Sequence, residues 1–311
     1  MGENPFPFSD DNRRYHAYSY ALGHRYGGRV ARVPLDGGFT CPNRDGTKGA
    51  GGCAFCSGRG SGDQIPDGLT GLAAQYAAGI EILKKWPDAR YIPYFQSFSG
   101  TYAPVSRLRA LYDGALALPG AVGLAVATRA DCVTEEIAGL LAEYAARTDL
   151  TVELGLQTAR DDTNAALNRC ETFAEFSAGF ARLKARGIPV WVHLINGLPG
   201  ETRADMVDSA RTVAALGADG VKLHALHVLR GTPLAAHPPV FQTMEDYVQT
   251  VCDQLEVLPP RTVIGRLTGD GPADALVGPD WTRRKRAVLN AIDRELARRN
   301  SWQGRKWTEN G

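Results

Sequence analysis

Val30-Ala31-Arg32-Val33-Pro34-Leu35 is a short apolar run, and just beyond it stand Cys41-Pro42-Asn43-Arg44-Asp45-Gly46 and then Gly51-Gly52-Cys53-Ala54-Phe55-Cys56-Ser57. The run reads as a strand and the rest as a glycine-rich loop leaving its C-terminal end. Barrel enzymes carry their chemistry at that end of their strands. The cysteine spacing is Cys-x11-Cys-x2-Cys. Three thiolates in one loop can hold three irons of a [4Fe–4S] cube and leave the fourth open to another ligand. Structural zinc is the rival: Cys53 and Cys56 form one Cys-x2-Cys knuckle, but zinc wants four ligands. No second knuckle exists, and His24 precedes the strand. A set of plain buried thiols is the third reading.

Outward from this loop the chain alternates. Strands are expected at Tyr91–Gln96, Val122–Thr128, Leu150–Leu156, Ile188–Ile195 and Gly220–Leu226, and helices at about 70–86, 104–116, 133–147, 171–186 and 202–216. Such alternation implies parallel βαβ units. With Val30–Leu35 there are six, which suits an incomplete (β/α) barrel. Thr134 and Thr202 mark helix starts, as do Asp161-Asp162, while Gly187 and Gly217 mark stops. The expected division is an N-terminal extension over 1–29, a barrel over 30–239, ending at the proline-rich Thr232–Pro239, and a helical, basic extension over 240–311.

Side chains alternate faces along a strand. Val152, Leu154 and Leu156 share one face, and Glu153, Gly155 and Gln157 the other. Lys222 pairs with His224, and His193 with Trp191 and Ile195. Polar faces on several strands predict a lumen that holds a polar ligand; the alternative is a hydrogen-bonded polar core.

The 311 residues are 44% hydrophobic and 22% charged, a soluble composition with room for a large core. Residues 281–306 concentrate nine Lys and Arg, among them Arg283, Arg284, Lys285 and Arg286, against Asp293 and Glu295. This is either a solvated helix or an electrostatic footprint for a polyanion such as RNA. Met1 to Asp11 is polar and acidic, and no apolar run of about 18 residues occurs. Six cysteines, three of them clustered, point to a metal in a reducing compartment rather than to disulfides. A cytoplasmic protein without a membrane partner is expected.

Two further turns can serve a ligand. Gln96-Ser97-Phe98-Ser99-Gly100-Thr101-Tyr102 offers small hydroxyls and a glycine at a strand end. Asn196-Gly197-Leu198-Pro199-Gly200-Glu201-Thr202 opens a helix, whose free N–H groups suit an adenine or ribose. Arg169 and Arg129 follow strands and can hold a carboxylate. Cys132, Cys170 and Cys252 read as small buried side chains.

The sequence resembles radical S-adenosylmethionine (SAM) proteins of the YhcC/YtqA type, relatives of the Elongator catalytic subunit within the MiaB/NifB-like set. The likeness lies in Pro34–Gly46, Tyr94-Phe95-Gln96, Thr101–Pro104, Thr128–Cys132, Glu153–Thr158, Ile195–Pro199, Leu223-His224, Gly231–Leu234, Arg266–Gly271 and Asn290–Leu296. Arg169-Cys170-Glu171 departs from it, standing where Arg-Gly-His is expected. The resemblance implies an α/β fold, a TIM-like partial (β/α)6 radical SAM barrel with a helical C-terminal extension. It implies a [4Fe–4S] cluster on Cys41, Cys53 and Cys56, and SAM, cleaved to a 5′-deoxyadenosyl radical. Ser97, Ser99 and Gly100 would stand near the methionine amino group, Glu153 and Gln157 would face the cofactor, and Arg169 would approach its carboxylate. Gln96, His193, Asn196 and Gly197 complete the expected cofactor set. The implied substrate is the side chain of a wobble uridine in tRNA, with Arg283–Arg286 as RNA contacts. A one-electron donor such as flavodoxin or ferredoxin is implied, and no DNA. A radical SAM enzyme acting on a protein or metabolite, and a non-catalytic zinc- or cluster-binding protein, are the other classes.

Overall fold

Parallel strands joined by helices dominate the chain. A computed structural model describes Phe6, Phe8 and residues 13–66, 68–83, 89–269 and 271–308. Most of the acidic leader, the end of the helix expected over 70–86, and Asp270 lie outside the described residues. The strands are β1 (Val30–Leu35), β2 (Arg90–Phe95), β3 (Gly123–Thr128), β4 (Asp149–Gln157), β5 (Val190–Asn196), β6 (Gly220–Ala225), β7 (Val228–Leu229), β8 (Val263–Arg266) and β9 (Leu276–Gly278). The helices are α1 (Tyr18–Tyr26), α2 (Leu72–Ile82), α3 (Val105–Leu116), α4 (Glu135–Ala145), α5 (Asp161–Ala166), α6 (Phe173–Lys184), α7 (Arg203–Ala215), α8 (Pro233–Ala236), α9 (Met244–Val257) and α10 (Lys285–Arg298). Seven strands form one sheet in the order β1-β2-β3-β4-β5-β6-β8, and β7 pairs with β9 antiparallel. All six expected strands are present. The seventh, β8, arises in the stretch read as helical. Four residues around a glycine are too short to display a strand period. Helix α5 begins at the Asp161-Asp162 start signal, although its six residues were not among the expected helix spans.

The chain divides into two units. One, the cysteine-loop unit, comprises residues 22–155 and 167–191. The other, the terminal unit, comprises 1–21, 156–166 and 192–311.

In the cysteine-loop unit β1 to β4 pair in parallel, neighbour to neighbour. Gly123 is required where β3 meets β4, since a Cβ there would stand 2.6 Å from Asp149 O. Phe39, Phe95, Tyr112 and Tyr144 run through the core as a chain of rings 5.9, 5.5 and 5.3 Å apart. Their hydroxyls are satisfied. Tyr112 donates to Gly100 O and Tyr144 to Asp113. Thr134 caps α4 and Thr172 makes a capping box with Glu175 on α6. Helix α6 runs close under the turn Ala130–Cys132, and a Cβ on Gly179 would meet Ala130 O at 2.1 Å.

In the terminal unit β6 pairs with β8, and Thr202 boxes with Asp205 to start α7. Helix α9 packs on α7 and α10. The segment 240–311 supplies two long helices, as expected of a helical extension. Among the described residues no helix is long and apolar enough to cross a membrane.

Candidate active site: the three-cysteine loop

The eleven residues between Cys41 and Cys53 fold back on themselves. Lys48 N and Gly49 N donate to Pro42 O, and Gly52 N donates to Asn43 O at 2.8 Å. Gly51 and Gly52 have φ near +80°, a conformation glycine adopts without strain. Cys56 N donates to Cys53 O at 3.0 Å, closing the second turn. Cys53 is buried, and Cys41 and Cys56 are partly so. Burial, then the neighbouring thiols of Cys53 and Cys41, push the Cys56 thiol up from its usual range. Asn43 Nδ2 donates to Cys53 Sγ at 3.6 Å. Three thiols on one loop, one already accepting an N–H, have the donor chemistry an iron–sulfur cube takes, while among the described residues no three of His, Cys, Asp and Glu stand together as a group that could hold a metal ion.

Neighbouring elements hold this loop from outside. Ala54 N donates to Leu167 O, Asn43 Nδ2 to Asn168 O at 2.5 Å, and Asn168 Nδ2 to Ala50 O and Gly52 O at 3.0 and 2.9 Å. Lys48 bridges Asp131 at 2.8 Å and Glu175 at 2.6 Å. Arg44 donates to Cys56 O and Ser57 O, its guanidinium lying over Phe98. Sequence reading assigned none of Asn43, Lys48 and Asn168 a role. Their partners lie up to 127 residues away, beyond the reach of any local sequence signal.

The turn after β2 is knitted to the same loop. Gln96 Nε2 donates to Ser61 O at 2.7 Å, Phe98 N to Gly60 O and Ser99 N to Thr40 O. Gly100 N donates to Ala127 O at 2.8 Å, and a Cβ on Gly100 would meet that oxygen at 2.7 Å. The Ser97 hydroxyl is buried and has no hydrogen-bond partner among the described residues, and the buried Ser99 hydroxyl has only the Cys132 thiol beside it. Buried polar atoms are rarely left so. The structure therefore packs the turn Gln96–Gly100 against the loop that carries Cys41, Cys53 and Cys56.

Glu153, fully buried on β4, is ion-paired with Arg32 and accepts from Tyr94 OH at 2.5 Å. Arg32 also lies over the Tyr94 and Trp191 rings. Its place on the polar face of an apolar strand was the available signal for this pair. Arg169, 4% exposed, is ion-paired with Glu171 and donates to Gly155 O, which leaves its Nε without a partner. Arg129 is committed elsewhere: it grips Asp131 through two nitrogens and donates to the Arg169 and Cys170 carbonyls. Burial pushes the Asp131 carboxyl up, but Arg129 and Lys48 outweigh it and hold the pKa at about 2. Cys170, where the resemblance expects glycine, has φ 50°, the left-handed region that glycine occupies without strain.

The remaining candidates belong to the terminal unit. Gln157, half-buried, ends β4 with φ 71°. The Asn196 amide is bound to Gln254 at 2.8 and 2.9 Å, its carbonyl accepts from Leu226 N at 2.8 Å, and Gly197 N (φ 85°) donates to Met206 Sδ at 3.2 Å. The His193 and His224 rings lie 5.4 Å apart. Of the basic segment, Arg283 donates to Ala273 O and Leu276 O. Arg298 and Arg299 hold Glu295, Arg299 also reaches Asp253, and Lys306 pairs with Glu256. Arg284, Arg286 and Arg294 are exposed and make no ion pair among the described residues.

Residues 43–213 match the Radical SAM superfamily and residues 218–298 the Radical_SAM C-terminal domain. The Bacillus subtilis protein YtqA is 45% identical over 98% of this chain and 96% of its own length. Escherichia coli YhcC is 35% identical over 92% and 94%. The solved archaeal Elp3 of Methanocaldococcus infernus superposes with a TM-score of 0.66 at 16% identity, over 89% of this chain and 64% of its own. That likeness shows the fold, a TIM-like partial barrel with a helical C-terminal part. With the cysteine loop, the matched segments and these relatives in agreement, the chain belongs to the radical SAM superfamily.

Proposed function

We propose that this enzyme modifies the side chain of a wobble uridine in tRNA. Superfamily membership makes the chain an enzyme whose cofactors are a [4Fe–4S] cluster and SAM, and which needs a one-electron reductant. It displaces the zinc and non-catalytic readings. Bound together, the two cofactors supply one-electron cleavage of a sulfonium and hydrogen-atom abstraction from a substrate.

The protein's part is binding, orientation and exclusion of water. In this reading Cys41, Cys53 and Cys56 hold the cluster. Ser97 and Ser99, with Gln96 and Gly100 fixing their turn, accept the methionine ammonium. Arg169 Nε donates to the carboxylate. Glu153 and Gln157 face the cofactor, and His193, Asn196 and Gly197 complete the set that binds it. The single observation that carries the chemistry is the buried, unpartnered Ser97 hydroxyl in a turn tied by backbone hydrogen bonds to the three-cysteine loop. A cytoplasmic location and a flavodoxin- or ferredoxin-type donor fit the same reading.

The tRNA substrate rests on Arg284, Arg286 and Arg294, the exposed cations that the fold leaves to a polyanion. Each phosphate neutralised steepens the salt dependence of binding by roughly 0.7–0.9 in log–log slope. Replacing Arg284 and Arg286 with Gln is therefore expected to weaken tRNA binding and flatten that slope by roughly 1–2. Comparing tRNA nucleosides between strains with and without the gene tests the substrate directly; identical profiles would reject it. A small-molecule or protein substrate is the second reading. The internal neutralisation of Arg298, Arg299 and Lys306 favours it, because it removes much of the positive excess counted in the sequence.

A further inference from the structure

Phe98 stands in the left-handed region, with φ 55°. Glycine and asparagine visit that region readily; a bulky aromatic does so only where its surroundings hold it there. The residue is half-buried and lies between Ser97 and Ser99, in the turn after β2.

This turn grips Gly60, Ser61 and Gly62, in the loop beyond Cys56, with three successive residues. Gln96 Nε2 donates to Ser61 O at 2.7 Å. The Ser97 hydroxyl takes the space left by the missing side chain of Gly62, where a Cβ would collide with it. Phe98 N donates to Gly60 O at 2.8 Å, and the ring lies so close on Gly60 that a Cβ there would stand 2.6 Å from Cε1. Gly60 and Ser61 are left-handed as well, with φ 55° and 73°. Arg44 sets its guanidinium 5.4 Å from the centre of the Phe98 ring, and the same guanidinium donates to Cys56 O and Ser57 O at 3.3 and 2.6 Å. One ring thus joins the strained turn, the glycine-bearing loop and the backbone of a cysteine, all within the cysteine-loop unit.

We propose that Phe98 is a positioning residue: its ring pins the loop Gly60–Gly62 against Ser97 and so fixes the hydroxyl that accepts the methionine ammonium of SAM. The proposal rests on the reading of Ser97 given above. Ser97 is 1% exposed and its oxygen has no hydrogen-bond partner among the described residues, so packing alone sets its rotamer. A glycine at position 98 would relax the backbone but leave the loop unpinned.

The test reads SAM binding, not turnover. The full chain with its cluster reduced is titrated with SAM, and the change in the EPR spectrum of the cluster gives a dissociation constant for the wild type, Ser97→Ala, Phe98→Gly and the double variant. Loss of one hydrogen bond to a charged group is expected to weaken SAM by about tenfold in Ser97→Ala, and Phe98→Gly by about as much. The double variant is expected to bind no more weakly than either single one, because the two residues act as a unit. Phe98→Tyr, which keeps the ring, is expected to bind as the wild type does. Phe98→Asn, whose side chain also tolerates this backbone, takes the place of Phe98→Gly should that variant fail to load its cluster. Full affinity in Phe98→Gly beside a weakened Ser97→Ala would overturn the role of Phe98 and leave the reading of Ser97 intact. Full affinity in Ser97→Ala would overturn that reading and the proposal with it. Additive losses, about a hundredfold in the double variant, would show Phe98 acting apart from Ser97 and would also overturn the proposal.

Discussion

Asn43 joins the two ends of the cysteine loop through one amide, which donates both to Cys53 Sγ and to Asn168 O. Hydrogen bonds to cluster sulfurs raise the reduction potential by stabilising the more negative state. Asn43→Leu is therefore expected to lower the cluster potential by about 40 mV, the equivalent of one hydrogen bond of ~1 kcal/mol. An EPR-monitored redox titration reads it; an unmoved midpoint would exclude the role. Cys170 gives a second residue-scale expectation. With φ 50° its side chain is strained by about 1 kcal/mol. Cys170→Gly should leave the melting temperature unchanged or higher, and Cys170→Val, β-branched, should lower it. The cysteines and serines were legible in the sequence because their chemistry is intrinsic to the residue type. Asn168 and Lys48 were not, because an amide or ammonium acquires its role only from partners that folding brings near.

At the scale of elements, Asp131 fastens three pieces together. It receives Arg129 from its own turn and Lys48 from the cysteine hairpin, and Lys48 also holds Glu175 at the start of α6. Its pKa falls from 3.8 to about 2. A depressed carboxylate stabilises the fold above its unfolded pKa, and that contribution is lost as pH drops through the folded value. Each tenfold change in proton affinity corresponds to about 1.4 kcal/mol, so roughly 2 kcal/mol is at stake. Asp131→Asn should melt below the wild type at pH 7, and the gap should narrow as pH falls from about 4 to about 2. A gap that is constant with pH would show that packing, not charge, supplies the difference. The six barrel strands were legible because each is an apolar run bounded by glycine or polar residues. The seventh, β8, was not: four residues carry no readable period, and only pairing with β6 makes them a strand. The basic segment shows the opposite failure. Its local charge excess was visible, but Asp253 and Glu256, which neutralise part of it, come from α9.

For the whole molecule, the division into units has a topological meaning. The chain passes from one unit to the other inside β4 and again inside β5, so neither unit is a continuous stretch that one cut would release. Within the terminal unit the two ends of the chain are sewn together. Gln303, fully buried, accepts from His16 N at 2.8 Å and donates to Pro259 O and Thr262 O. Its own N–H donates to Arg14 O, and Ile264 N donates to His16 O. Gln303→Ala leaves several buried partners unsatisfied at about 1–3 kcal/mol each. It is expected to lower the melting temperature and to open Arg13-Arg14 to trypsin while the wild type resists. The same stitching fixes an order of events during synthesis. Residues 14–16 find Gln303 only after nearly three hundred more have been added, roughly 15–60 s at ordinary elongation rates. Through that interval Tyr15 and Ala17, both buried in the finished protein, are open to chaperones and proteases, so the nascent chain is vulnerable there until its last segment is made.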